Sequence, residues 1–350
     1  MLKIGNIELN DFPLLLAPME DVSDPPFRAL CKKYGADLMY TEFISSEGLI
    51  RDAGKSIQKL DIFDYERPIG IQIFGADLDA MRVSAEIVES RNPDLLDINY
   101  GCPVAKVVCK MAGAGILQDI KRMVQLTETV VKSTQLPVTV KTRLGWDDNS
   151  KNIVDVAERL QDIGIKALSI HGRTRKQLYK GEADWTLIGE VKNNPRMIIP
   201  IFGNGDVTSP EIALDMKNRY GVDGIMIGRA AIGYPFIFRE IKHFLSTGQK
   251  MPPATTTERV MAAKEHLKRA IQWKGQITGI LETRRHYTNY FKGLPNSKEY
   301  RMKLVTSNDP NELFDILDEI ADLYSQFYIE TPPYSETNAA DTLNSISFAG

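Results

Sequence analysis

Eight short β-prone runs recur along the chain, at 14–18 (LLLAP), 38–42 (LMYTE), 69–74 (IGIQIF), 95–100 (LLDINY), 137–142 (PVTVKT), 166–171 (KALSIH), 198–203 (IIPIFG) and 223–228 (DGIMIG). Between them lie segments such as Leu78 to Glu89 and Ile120 to Lys132, whose apolar residues fall at helical spacing. One helix start is signposted by local chemistry: Ser23 or Asp24 can cap it, Pro25 and Pro26 suit its first turn, and Gly35 can end it. Eight strand–helix units within about 245 residues are what a closed (β/α)8 TIM barrel requires. A doubly wound open sheet is the structural alternative, but it would not normally carry so many chemically loaded strand ends.

The pattern changes after Gly248, where Pro252-Pro253 and Thr255-Thr256-Thr257 precede helical segments around 258–274, 278–292, 297–305 and 310–326. The expected fold is therefore α/β, a TIM barrel over 1–248 followed by a small all-α domain over 249–328. The polar, aperiodic stretch 329–350 contains Pro332-Pro333 and reads as a disordered tail.

With 350 residues, 43% of them hydrophobic, and a formal net charge of −3, the chain is of ordinary globular composition. Such a charge argues against a protein that coats nucleic acid by bulk attraction, while leaving room for a local basic face. Cys31, Cys102 and Cys109 form no CxxC pair, and Met1 to Asn6 carries no apolar export segment. No apolar run approaches the roughly 20 residues needed to span a bilayer. The expectation is a cytoplasmic monomer with no membrane role.

In such a barrel the active site lies where the carboxyl ends of the strands meet. The first strand end offers Ala17, Pro18 and Met19, the third includes Gln72, and the fourth gives Asn99-Tyr100-Gly101-Cys102-Pro103. The fifth supplies Lys141 and Arg143, the sixth His171, Arg173 and Arg175, the seventh Gly203 to Asp206, and the eighth Gly228 and Arg229. Glycine-rich turns after the seventh and eighth strands suit a phosphate, and Arg229 adds a charged fork.

No strand-associated GxGxxG is present, so a single-phosphate mononucleotide suits better than a resident dinucleotide. Gln72 and Lys141, polar in otherwise apolar strands, are placed to hydrogen-bond a flat heteroaromatic ring such as a flavin. A Schiff-base role for Lys141 remains the competing chemistry.

Cys102, between Gly101 and Pro103 just beyond a strand, is expected to be exposed at the site, where a thiol protonated at neutral pH can act as a general acid. Cys31 reads as core, and Cys109 either packs or lies near the catalytic loop. His171 is expected to contact a ring, whereas His243, His266 and His286 are expected at surface or RNA-facing positions. No HExxH or Cys/His spacing suggests a metal.

Together these segments resemble the tRNA-dihydrouridine synthases, most closely their bacterial branch B. The resemblance rests on AP-M at 17–19, NYGCP at 99–103, KVV-K-AGAG from Lys106 to Gly115, VKTRLGW at 140–146, HGRTR at 171–175, GNGD at 203–206 and IGRA at 227–230. It covers roughly residues 8–325; Cys109 departs from it, in a place where a polar or basic residue is expected.

The resemblance implies FMN held by Ala17, Pro18, Met19, Gln72, Lys141, His171, Asn204, Gly205, Asp206, Gly228 and Arg229. It implies NADPH as reductant and the D-loop of tRNA as substrate, with hydride delivered to C6 of uracil and Cys102 protonating C5. Asn99, Arg143, Arg173 and Arg175 are the expected substrate contacts.

An RNA partner also has a local electrostatic rationale. Within 258–303, eleven basic residues stand against four acidic ones, a local excess of +7. Trp273, Tyr287, Tyr290 and Phe291 interleave with them, either to stack on bases or to pack inward. A flavin barrel acting on a free pyrimidine, and a tRNA-binding factor with a vestigial flavin site, are the competing functions.

Overall fold

The computed structural model describes residues 1–327, so the stretch expected to be a disordered tail lies outside the described residues. All eight expected runs form strands: β3 (Leu14–Leu16), β4 (Met39–Tyr40), β6 (Ile69–Phe74), β7 (Leu95–Asn99), β8 (Val138–Arg143), β9 (Ala167–His171), β10 (Ile201–Asn204) and β11 (Gly224–Ile227). They pair in parallel in the order β3-β11-β10-β9-β8-β7-β6-β4, and the parallel bridge Leu15↔Leu38 joins the ends into a barrel. Helices intervene, as a parallel sheet requires of its crossovers.

Three further strands escaped the periodicity. Β1 (Leu2–Ile4) and β2 (Ile7–Leu9) form an antiparallel hairpin, and β5 (Ile44–Ser45) adds to β6. The hairpin turns at Gly5, whose φ of 59° suits a residue without Cβ. A Cβ there would lie 2.9 Å from Pro137, just before β8, so the hairpin sits at the amino end of the barrel. Its Ile4 and Leu9 join Leu15, Leu38, Leu95 and Phe202 in one apolar cluster, sealing that end and leaving the opposite one for chemistry.

The chain divides into two compact units, each drawn from separate stretches of sequence. One unit holds Met1–Asp24, Ala36–Val207 and Ile212–Gly228; the other holds Pro25–Gly35, Thr208–Glu211 and the residues from Arg229 on.

In the second unit the expected helices form over Thr256–Lys274, Gln276–Tyr290, Lys298–Thr306 and Pro310–Leu323. Thr255 and Glu258 make a capping box at the first. The first two cross closely because Gly279 has no side chain: a Cβ would lie 2.6 Å from the backbone of Ala270.

His266 and His286 are buried, contrary to the surface or RNA-facing positions expected for them, because they fall on the inward face of these two helices. Their rings stand 4.4 Å apart and pack on Phe27. Tyr287, Tyr290 and Phe291 are likewise buried, so these three aromatics pack inward. Arg259, counted among the basic residues, is buried with its Nε donating to the Ala254 carbonyl; Lys268, Lys298 and Lys303 are exposed.

Burial, with the neighbouring His266, Arg285 and Lys274, holds His286 well below its ordinary 6.5. The unfolded chain therefore binds a proton at His286 before the folded one does, and stability falls as pH drops below 6.5. Melting curves at pH 7 and about pH 5 should show a smaller acid-induced fall in Tm for His286→Gln than for wild type.

A candidate flavin and nucleobase site at the barrel mouth

Strand register sets several of the expected residues side by side at the strand ends. Asn99 lies opposite Lys141, Arg143 opposite His171, His171 opposite Asn204, and Asn204 opposite Met226. Ala17, Pro18 and Met19 continue from β3, and Gly228 from β11, where even a Cβ on Gly228 would meet Ala17 only at 3.5 Å. Arg229 opens a short 3-10 turn, Arg229–Ala231, and belongs to the second unit.

The Cys102 loop is held by side chains from neighbouring strands. Asn99 Oδ1 accepts from the backbone N–H groups of both Gly101 and Cys102 at 2.9 Å. Asn99 Nδ2 donates to Gln72 Oε1 at 2.8 Å, and Gln72 Nε2 donates to Asp97 Oδ2 at 2.6 Å. Arg143 Nε donates to the Gly101 carbonyl at 2.7 Å.

Cys102 is 6% exposed, so the thiol expected to stand open is buried. Burial pushes it up, against the Val104 backbone hydrogen bond and the charges of Arg143 and Lys141, with Glu20 adding to the rise. A thiol so placed keeps its proton at neutral pH, as a general acid must.

Lys141 is the most informative group on this rim. Lys141 is half-buried, and among the described residues its ammonium makes no hydrogen bond. A Cβ on Gly101 would lie 3.9 Å from Nζ, which puts the ammonium beside the Cys102 loop. Burial and Arg143 push Lys141 down to about 8, while Asp97 and Cys102 pull it up. An ammonium offers three N–H donors, and the polar edge of a flavin ring fits that demand.

The turn after β10 is shaped by tight packing. A Cβ on Gly203 would fall 1.9 Å from the Trp185 ring, and Gly205 has a φ of 124°. Trp185 Nε1 donates to the Gly205 carbonyl at 3.1 Å, and Asn204 Nδ2 to the Met226 carbonyl at 2.8 Å.

Three expected contacts receive different places. Arg173, expected at the substrate, is 0% exposed; its guanidinium grips both carboxylate oxygens of Asp206 at 2.9 and 2.7 Å and donates to the Lys180 carbonyl. Asp206, expected at the cofactor, is thereby engaged, and it also accepts from Ala183 N at 2.7 Å. The pair clasps the loop after β9 to the turn after β10. Arg143 is buried too, with Nη1 donating to the Thr174 and Leu178 carbonyls, so with its bond to Gly101 it ties the loop after β7 to the loop after β9. Both arginines turn inward to satisfy loop carbonyls, which spacing alone does not reveal.

His171 remains on the rim, with Nε2 3.4 Å from Arg173 Nη1. Arg175 lies over the Trp146 ring at 4.9 Å. Cys31 is buried as expected, and Cys109 is exposed.

Sequence reasoning missed Asp97 and a carboxylate group made by Glu20, Asp21 and Glu42, whose ligand atoms lie within 4.8 Å of one another. Lys59 answers that charge, pairing with Glu20 and reaching Glu42 at 3.6 Å. Asp97, a carboxylate in an apolar strand, carried the same signal as Gln72.

Known proteins resemble this chain over most of its length. The family model described as "Dihydrouridine synthase (Dus)" matches residues 15–325. A protein named "Probable tRNA-dihydrouridine synthase" from Rickettsia conorii is 36% identical over 93% of this chain and 97% of its own length. "tRNA-dihydrouridine synthase B" of Pseudomonas putida is 39% identical over 88% of this chain and 90% of its own. Among solved structures, histamine dehydrogenase from Rhizobium sp. 4-9 superposes with a TM-score of 0.53 at 11% identity, over 76% of this chain. The chain spans about half of that protein, 50% of its length, and the likeness is one of fold.

Proposed function

The chain belongs to the dihydrouridine synthase family, oxidoreductases acting on tRNA, and from that premise we propose that its barrel mouth holds FMN and presents a D-loop uridine to Cys102. The observation that carries the cofactor is Lys141, a sunken ammonium without a hydrogen-bond partner among the described residues. FMN, when bound, supplies the reducing equivalents for the C5=C6 bond of uracil.

The chain's own residues do the rest. Lys141 and Gln72 hold the ring's polar edge, and the turn at Asn204 and Gly205 with Gly228 receives the phosphate. His171 and the Ala17-Pro18-Met19 segment flank the ring. Addition at C6 leaves negative charge on C5 and the C4 carbonyl; Cys102 gives its proton to C5, and Asn99 orients the base.

Arg175, spread over Trp146, faces the entering RNA. The target uridine has to leave its stack to reach the mouth, which favours a loop. NADPH is the proposed reductant, the working division is a catalytic part over 1–248 and an RNA-holding part over 249–328, and the protein acts without a metal as a cytoplasmic monomer. No helix among the described residues is long and apolar enough to cross a membrane.

The cofactor is tested by denaturing the purified protein and identifying what it releases. One equivalent of FMN per chain, and faster bleaching by NADPH than by NADH, are the expected results. Release of FAD, of a nicotinamide nucleotide or of nothing that can be loaded back would overturn it.

A further inference from the structure

Asp97 lies in β7 with its carboxylate 1% exposed, behind the residues assigned to the ring and the base. Thr139 Oγ1 donates to its Oδ1 at 2.5 Å and Gln72 Nε2 to its Oδ2 at 2.6 Å. Burial pushes Asp97 up to about 6, against the Gln72 and Thr139 donors and the charge of Lys141, and both its oxygens accept, the pattern of a carboxylate.

At the far end of the same chain of contacts stand the N–H groups of Gly101 and Cys102, which only donate. Two amides lie between, Gln72 and Asn99, joined by a 2.8 Å bond. An amide can sit either way round, and its neighbours decide which. Between an acceptor-only end and a donor-only end, one orientation of both amides satisfies every bond.

We infer that Asp97 is a positioning residue that sets the direction of hydrogen bonding through Gln72 and Asn99 and so holds the Cys102 loop in place. Its value to turnover rests on the proposed role of Cys102; the holding of the loop does not. Asn99→Asp should reverse the demand. Its second oxygen would face Gln72 Oε1, and turning the Gln72 amide would face that oxygen to Asp97.

Adding Asp97→Asn removes the conflict: the new amide donates to the turned Gln72, Gln72 donates to the new carboxylate, and the loop N–H groups keep their acceptor. Asp97→Asn alone has an escape, because the Thr139 hydroxyl can turn to accept, and it should cost less than Asn99→Asp.

The test is the rate at which iodoacetamide alkylates Cys102 in the resting protein, followed peptide by peptide so that Cys109 does not intrude. Asn99→Asp should raise that rate about tenfold, and the double variant should return it to within about threefold of wild type. If Asn99→Asp does not fold, the double variant must. A double variant that reacts as fast as Asn99→Asp, or that also fails to fold, overturns the inference. Because no tRNA is present, a failure of the proposed activity would leave this result untouched.

Discussion

Cys102→Ala should lower dihydrouridine formation by about 10²–10⁴-fold, the ordinary worth of a positioned general acid, while FMN stays bound. The thiol is buried, its backbone N–H is fixed by Asn99, and burial keeps it protonated at neutral pH. Alanine removes the proton without disturbing those backbone bonds. Single-turnover reoxidation of reduced enzyme by tRNA is the measurement, and the spectrum of the oxidised protein is its control.

The same placement fixes the sign of the pH dependence. The acid works while protonated, so the wild-type rate should hold through neutrality and fall as pH rises through the raised thiol value. A variant whose residual rate lacks that alkaline limb identifies the thiol as its source.

Lys141→Met should lower FMN affinity by about 10–100-fold, the loss of one charge-assisted hydrogen bond, and change how the flavin-free protein responds to pH. In wild type the folded lysine titrates at about 8 against 10.5 for the unfolded chain. Between those values the unfolded chain binds more protons, so stability of the flavin-free protein rises as pH rises, by up to about 3 kcal/mol at 1.36 kcal/mol per unit. Below about 8 the buried charge is a full cost to the folded state. Methionine carries no such cost, so the variant should melt higher at pH 7 and show a flat profile over that window. Denaturant titrations of the stripped proteins across the window check both.

The barrel was legible in the sequence because its strands are buried on both sides and read as apolar runs at regular intervals. The two short N-terminal strands were less so, although Leu2, Ile4, Ile7 and Leu9 alternate around Gly5-Asn6, a hairpin signal. The helices after Thr255 were legible, but the inclusion of Pro25–Gly35 in the second unit was not, since that helix lies far from them in sequence.

At the site, spacing identified which residues stand at strand ends and failed on which way the long ones turn. Arg143 and Arg173 could equally have reached outward; only the carbonyls and the Asp206 carboxylate they satisfy explain why they do not. Asp97 was passed over because its use lies in what it does to Gln72. His266 and His286 were misplaced because polarity suggested a surface, whereas each is enclosed by aromatic rings on an inward helix face.

The central claim is that this barrel reduces uridine within tRNA. Unmodified tRNA incubated with the protein and NADPH, then digested and mapped by mass spectrometry, should gain two mass units at a limited set of D-loop uridines and nowhere else. Bleaching of the flavin by NADPH with no dihydrouridine in the tRNA, while free uracil or dihydroorotate turns over, would contradict it.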